Sequence, residues 1–236
     1  RTKYSSSTHI CILTRFNRST RLAMTRLPAS TVTRFWFGYA RHELATIEKP
    51  NKTQLALWFG SKPDDDARIF QTFGAHLRAT EEHYSALDDD TLAGTTRTSN
   101  VEDLVADIIT LDQFTRVIHR KSARAFSNDA VAVKLARAAL SDGAFFASAH
   151  PLERMFLEMP LMHSEDIDDH VRLLTHRGID IDAIDVEDES HADFAVKHYC
   201  TVKRFGRYPY RNKVLGRENT PEEQAYLDNP HSSYGQ

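Results

Sequence analysis

DDDARIFQTFGAHLRATEEHYSAL, residues 64–87, decides the fold class. Ile69, Phe73, Leu77 and Tyr84 recur at intervals of four and seven, so they fall near one face of a helix. Asp64, Asp65 and Asp66 stand where a helix N-terminus is partly positive. The same period continues along the chain. DDDTLAGTT (88–96) reads as a loop, and Ser99 to Glu102 has capping-box spacing before a helix through Leu104, Ile108 and Leu111. Asn128 opens an amphipathic stretch with Val131, Leu135 and Ala138, stopping at Gly143. Pro151 suits the first turn of a helix carrying Leu152, Met155, Phe156 and Met159, which Pro160 then interrupts. Ser164 is placed to cap a short helix ending at His176, Arg177 and Gly178. An acidic linker, 180–190, leads to a helix over 191–205. Thr220-Pro221-Glu222-Glu223 combines a capping box with proline at the first helical position and starts a last helix over 221–227. No stretch alternates as a strand does. The pattern predicts an all-α protein of seven or more helices, and the scarcity of Gly (9) and Pro (8) agrees.

Charge divides the 236 residues unevenly. Residues 1–42 carry eight Lys/Arg (Arg1, Lys3, Arg15, Arg18, Arg21, Arg26, Arg34, Arg41) and no acid, leaving 22 bases against 33 acids in the rest. An Arg-rich, Ser-rich, acid-free start describes an organellar transit sequence better than a secretory signal, which needs an apolar core. We therefore expect residues 1–30 to form a basic extension, residues 31–236 a helical domain, and the location to be mitochondrial, with cytoplasmic as the alternative. No apolar run reaches the roughly 18 residues that span a bilayer. Cys11 and Cys200 have neither disulfide-framework nor metal-site spacing, and no metal or cofactor is expected.

Three groups of residues can carry chemistry. Asp112 lies four residues after Ile108, with Arg116 and His119 at i+4 and i+7, so an acid and an arginine point with the apolar face and must pair. In MHSED (162–166), His163 and Glu165 follow the Pro160 break, where irregular backbone often holds functional side chains, although Ser164, Glu165 and Asp166 also suit a helix start. His198 shares a helical stripe with Phe194, Val202 and Phe205. His163, Glu165, His198 and Asp112 are the candidate catalytic groups, with the two histidines as acid–base residues and Asp112 orienting them. The third group is RFGRYPYRN (204–212). Six bases between 199 and 217 have no acid among them, while residues 161–198 hold eleven acids against three bases. Blocks of opposite sign can close on each other, so Arg204, Arg207, Arg211 and Asn212, with Arg116, are read as an internal polar network first and an anion-binding site second. RNA contact comes third, because the rest of the domain is acidic.

FWFG (35–38), LWFGSKPDDDARIFQTFG (57–74), LDQFTR (111–116), AFSNDAVAVKLARAAL (125–140), ERMFLEMPLMHSED (153–166) and HYCTVKRFGRYPYRNKVLGRENTPEEQAYL (198–227) together resemble domain-of-unknown-function family 924. The motifs occur in the family's order over about residues 31–230. The resemblance implies an array of antiparallel, tetratricopeptide-like helices and no established reaction. It also implies that Asp112, Gln113, Arg116, His163, Ser164, Glu165, His198, Arg204, Arg207, Arg211 and Asn212 converge on one pocket or network. Four positions depart from the family's pattern: Thr115 for Pro, Val117 for Asn, His170 for Gln and Tyr210 for His.

Three functions are expected from these readings. The first is a helical scaffold or interaction protein, an accessory subunit of a larger mitochondrial assembly of the respiratory-complex or mitoribosome type. It would meet other subunits at least partly through residues 1–42. The second is a hydrolase-like enzyme using His163 and His198 beside an arginine-lined anion site. The third is an RNA-binding module.

Overall fold

The computed structural model describes residues 25–60, 62–188 and 190–228, and these contain helices, turns and loops with no strand. The stretch with α1 (Ala29–Phe37), α2 (Arg41–Leu44), α3 (Lys52–Phe59) and the long α4 (Pro63–Ser85) comes first. It is followed by α5 (Asp89–Ala93), α6 (Val101–Ile108), α7 (Thr115–Ile118), α8 (Asp129–Ser141) and α9 (Gly143–Ala147). The rest comprises α10 (Pro151–His163), α11 (Ile167–His176), α12 (Phe194–Phe205), α13 (Asn212–Leu215) and α14 (Pro221–Leu227). The all-α class is as read from residues 64–87: Ile69, Phe73, Leu77 and Tyr84 are all buried along α4. Among the described residues, no helix is long and apolar enough to cross a membrane.

Aromatic packing organises the centre. Phe73 stacks on Phe114 at 4.5 Å, Trp36 meets Phe114 edge-on at 5.5 Å, and Phe156 meets Trp58 at 5.1 Å. Such pairs add roughly 0.5–1.5 kcal/mol each beyond the area they bury. α1 ends on Gly38 at φ 75°, where a Cβ would collide with the Gln54 amide 2.1 Å away. The close approach lets Gln54 Nε2 donate to the Phe37 carbonyl, which ties α3 to the end of α1.

Several local expectations are corrected. The stretch 88–96 contains α5, because the Asp88 side chain caps it by accepting from Thr91 N. α6 is capped by Asn100, whose side chain accepts from Asp103 N; Ser99 lies one residue outside. The helix expected through Leu104, Ile108 and Leu111 is broken by a π-helical turn, Ile109–Phe114, all six of whose residues are buried. Pro160 does not interrupt α10, which runs on to His163. Only one turn remains beyond the proline, so the missing N–H is a small loss, and Pro160 itself is buried. α11 is capped by Asp166, with Ser164 Oγ accepting from Asp166 N one step earlier. α14 and its capping box lie where read, with Thr220 and Glu223 satisfying each other's backbone N–H groups.

The expected extension, 1–30, lies mostly outside the described residues. Its last part does not: α1 starts at Ala29, the Leu27 N–H donates to His76 Nδ1 at 2.8 Å, and Arg26 pairs with Asp107. Arg41, also from the basic stretch, pairs with the fully buried Glu153 at 2.8 Å. Arg26, Leu27 and Arg41 are thus tied to the helical domain.

Candidate functional site

The π turn and the end of α10 bring the first two sequence groups together. Phe114 is held in the aromatic centre, and the widened turn before it presents Asp112 inward, 1% exposed. π turns of this kind recur at functional sites. Arg116 Nη1 donates to both the Asp112 carboxylate and its backbone carbonyl at 2.8 Å, and the Gln113 amide donates to the same carboxylate. From α10, 51 residues away, His163 Nδ1 lies 2.8 Å from Asp112 Oδ1 and 3.0 Å from Oδ2. A carboxylate only accepts, so His163 carries its proton on Nδ1, which leaves the lone pair on Nε2. His163 retains 18% of its side-chain exposure, and its Nε2 makes no hydrogen bond among the described residues. His119, expected on the same side, is only half-buried at the end of α7, because the π turn shifts the helical register by a residue.

The electrostatics follow from these contacts. Burial alone drives the Asp112 carboxyl upward, but Arg116, His163 and the Gln113 amide outweigh it and hold it well below the usual carboxylate range. Burial lowers His163 despite the opposing pull of Asp112, so its ring is neutral near pH 7. His198 lies beside it with ring centres 6.4 Å apart, donates Nδ1–H to the Phe194 carbonyl at 2.6 Å, and is pushed down by burial to about 3. At neutral pH His198 is therefore an uncharged imidazole. Of the two histidines expected as an acid–base pair, His163 carries the hydrogen bond to Asp112.

RFGRYPYRN divides between this cluster and the surface beyond it. Arg211, 3% exposed, donates to the His163 carbonyl at 2.8 Å and reaches Asp129 at 3.4 Å, while its guanidinium lies 4.4 Å from the Tyr208 ring centre. The buried Tyr208 donates its hydroxyl to the Met162 carbonyl. Glu165 accepts from Tyr208 N at 2.8 Å and forms a two-pronged pair with Arg217 at 2.7 and 2.9 Å. That corrects its reading as part of a helix start. Arg207 does not reach the histidines; it pairs through two nitrogens with Glu223 at 2.6 and 2.8 Å. Arg204 pairs with Glu187 and Glu222. Asn212 donates to Asn219 at 2.8 Å. The arginines expected as an anion site thus close on carboxylates of the same chain.

Asp129 was missed. It bridges Arg116 at 3.0 Å and Arg211 at 3.4 Å, and burial raises its carboxyl against both cations. Its position at the first residue of α8 was legible as a helix start and gave no sign of the partners. His170 also belongs here: Nε2–H donates to the Ser164 carbonyl at 2.9 Å, and Nδ1 is buried with no hydrogen-bond partner among the described residues. Among the described residues, no group of three or more His, Cys, Asp or Glu converges to hold a metal ion.

A family model described as "Bacterial protein of unknown function (DUF924)" matches residues 32–231. The chain belongs to this family. A solved structure of a protein of unknown function, ATU0120, from Agrobacterium tumefaciens is 27% identical, covering 85% of this chain and 96% of its own, with a TM-score of 0.60. No curated protein matches. Two pieces of the family resemblance, LDQFTR and PLMHSE, are joined by the Asp112–His163 hydrogen bond.

Proposed function

We propose that this family member is an acid–base enzyme of the hydrolytic kind, in which His163 Nε2 takes a proton from water and Asp112 holds the ring in the tautomer that allows it. One observation carries the reading: a partly exposed imidazole hydrogen-bonded at 2.8 Å to a carboxylate that is 1% exposed and locked by an arginine. A buried acid on Nδ1 fixes the ring and leaves the outer nitrogen basic at neutral pH. Because Arg204, Arg207, Arg211 and Arg217 are engaged by the protein's own carboxylates, an uncharged acyl substrate suits the site better than the anionic one expected with the hydrolase reading. Hydrolysis of a panel of p-nitrophenyl esters tests this. His163→Ala should lose about a hundredfold or more in rate while remaining folded, as removal of a positioned base does. A folded His163→Ala protein with the full rate would end the proposal.

The second reading is an accessory subunit of a mitochondrial assembly. The acid-free, Arg/Ser-rich first 42 residues support it, as does the closure of the 204–217 arginines into a clasp within the domain. Elution as a free monomer in size-exclusion of native extract would contradict it.

A further inference from the structure

A second polar cluster lies where the chain enters the domain. Asp107, 5% exposed on α6, accepts from the Tyr84 hydroxyl at 2.6 Å on one oxygen and from Arg26 on the other. The Arg26 guanidinium lies 5.9 Å from the Tyr84 ring centre. Burial and the Asp107 charge raise the Tyr84 phenol, so it stays a donor. These groups border a cavity of about 510 Å³, walled elsewhere by Thr91, Thr95 and Asp103. Thr95 spends its hydroxyl proton on the Leu92 carbonyl at 2.8 Å, so it faces a guest as an acceptor. A cavity with two carboxylates and hydroxyl acceptors selects a ligand rich in N–H donors. Arg26 borders the cavity too, and its Nε is buried with no hydrogen-bond partner among the described residues.

We propose that this cavity is a binding site for a small guanidinium compound, with Asp107 and Tyr84 as its receptor pair, and that Arg26 is the chain's own stand-in for that ligand. A carboxylate held in place by a hydroxyl, with an aromatic face beside it, matches the planar donor fork of a guanidinium better than an ammonium point charge. The strap from Arg26 to Leu27, pinned by Asp107 and His76, is the piece a ligand displaces.

Ethylguanidinium, the end of an arginine side chain, is the probe, added to the full chain carrying Arg26→Ala. At ten times its Kd it should raise the melting temperature by about 3 °C in a saturable way. The neutral ethylurea should not, and wild type should bind the probe at least tenfold more weakly because Arg26 competes. Tyr84→Phe in the Arg26→Ala background, which removes the hydroxyl that orients Asp107, should weaken the rescue at least threefold. If Arg26→Ala does not fold, Arg26→Gln serves with the same expected rescue. No saturable shift, or an equal shift with ethylurea, overturns the proposal.

Discussion

Asp112 meets several demands. It answers Arg116, Gln113 and His163 at once from a position that water does not reach. Asp112→Ala should destabilise the protein by about 3 kcal/mol or more in urea unfolding, because Arg116 would keep a buried charge with only Asp129 to offset it. A loss under about 0.5 kcal/mol would mean that the pair adds nothing to the fold. At this scale the sequence was informative where partners are near in the chain. Asp112 and Arg116 sit at i and i+4, and a buried charge must find an opposite. Helix spacing alone gave no sign of the link from Asp112 to His163, which rested on the reading of Asp112 as orienter and on the family resemblance, because spacing within a helix says nothing about which helix packs against it 51 residues later. Asp129 and Tyr208 were missed for the same reason.

The elements show where propensity decides and where packing overrides it. α14 was legible to the residue because its capping box and Pro221 are local chemistry. Glu223 does more than the box requires, since the same carboxylate takes Arg207 in a two-pronged pair and is lowered to about 2, chiefly by that hydrogen bond. Thr220→Ala should therefore lose about 1 kcal/mol, as cap removal typically does. Glu223→Ala should lose more, because it also frees Arg207; equal losses would show that the clasp is idle. α12 ends on Gly206 in the left-handed region at φ 68°, so Gly206→Ala should cost about 1 kcal/mol through backbone strain alone. The π turn at Ile109–Phe114 and the continuation of α10 through Pro160 were not legible. Both are local penalties accepted because the side chains around them are buried, and burial belongs to the assembled domain.

Over the whole molecule, buried imidazoles set the response to acid. His163, His170 and His198 are all lowered by burial. Each is neutral when folded and binds a proton when unfolded below its ordinary pKa of about 6.5, so its contribution is complete above that pH and lost as pH falls towards the folded value. For each ring the loss is about 1.4 kcal/mol per pH unit within that window. Urea unfolding at pH 7 and pH 5 should show markedly lower stability at pH 5; an unchanged midpoint would mean that the rings are already hydrated. Fold class was legible at this scale, because helical period and paucity of glycine and proline are properties of the entire chain. The meeting of the basic 199–217 block with acids elsewhere was legible in sign, while the particular pairs depended on the tertiary fold.

The central claim is that His163 is a neutral base whose proton sits on Nδ1 against Asp112. Nitrogen NMR of ring-labelled histidine, followed through a pH titration, measures both properties on one residue. The account predicts the Nδ1–H tautomer at pH 7 and a His163 pKa below 6.5. An Nε2–H ring, or a pKa above 6.5, would contradict it.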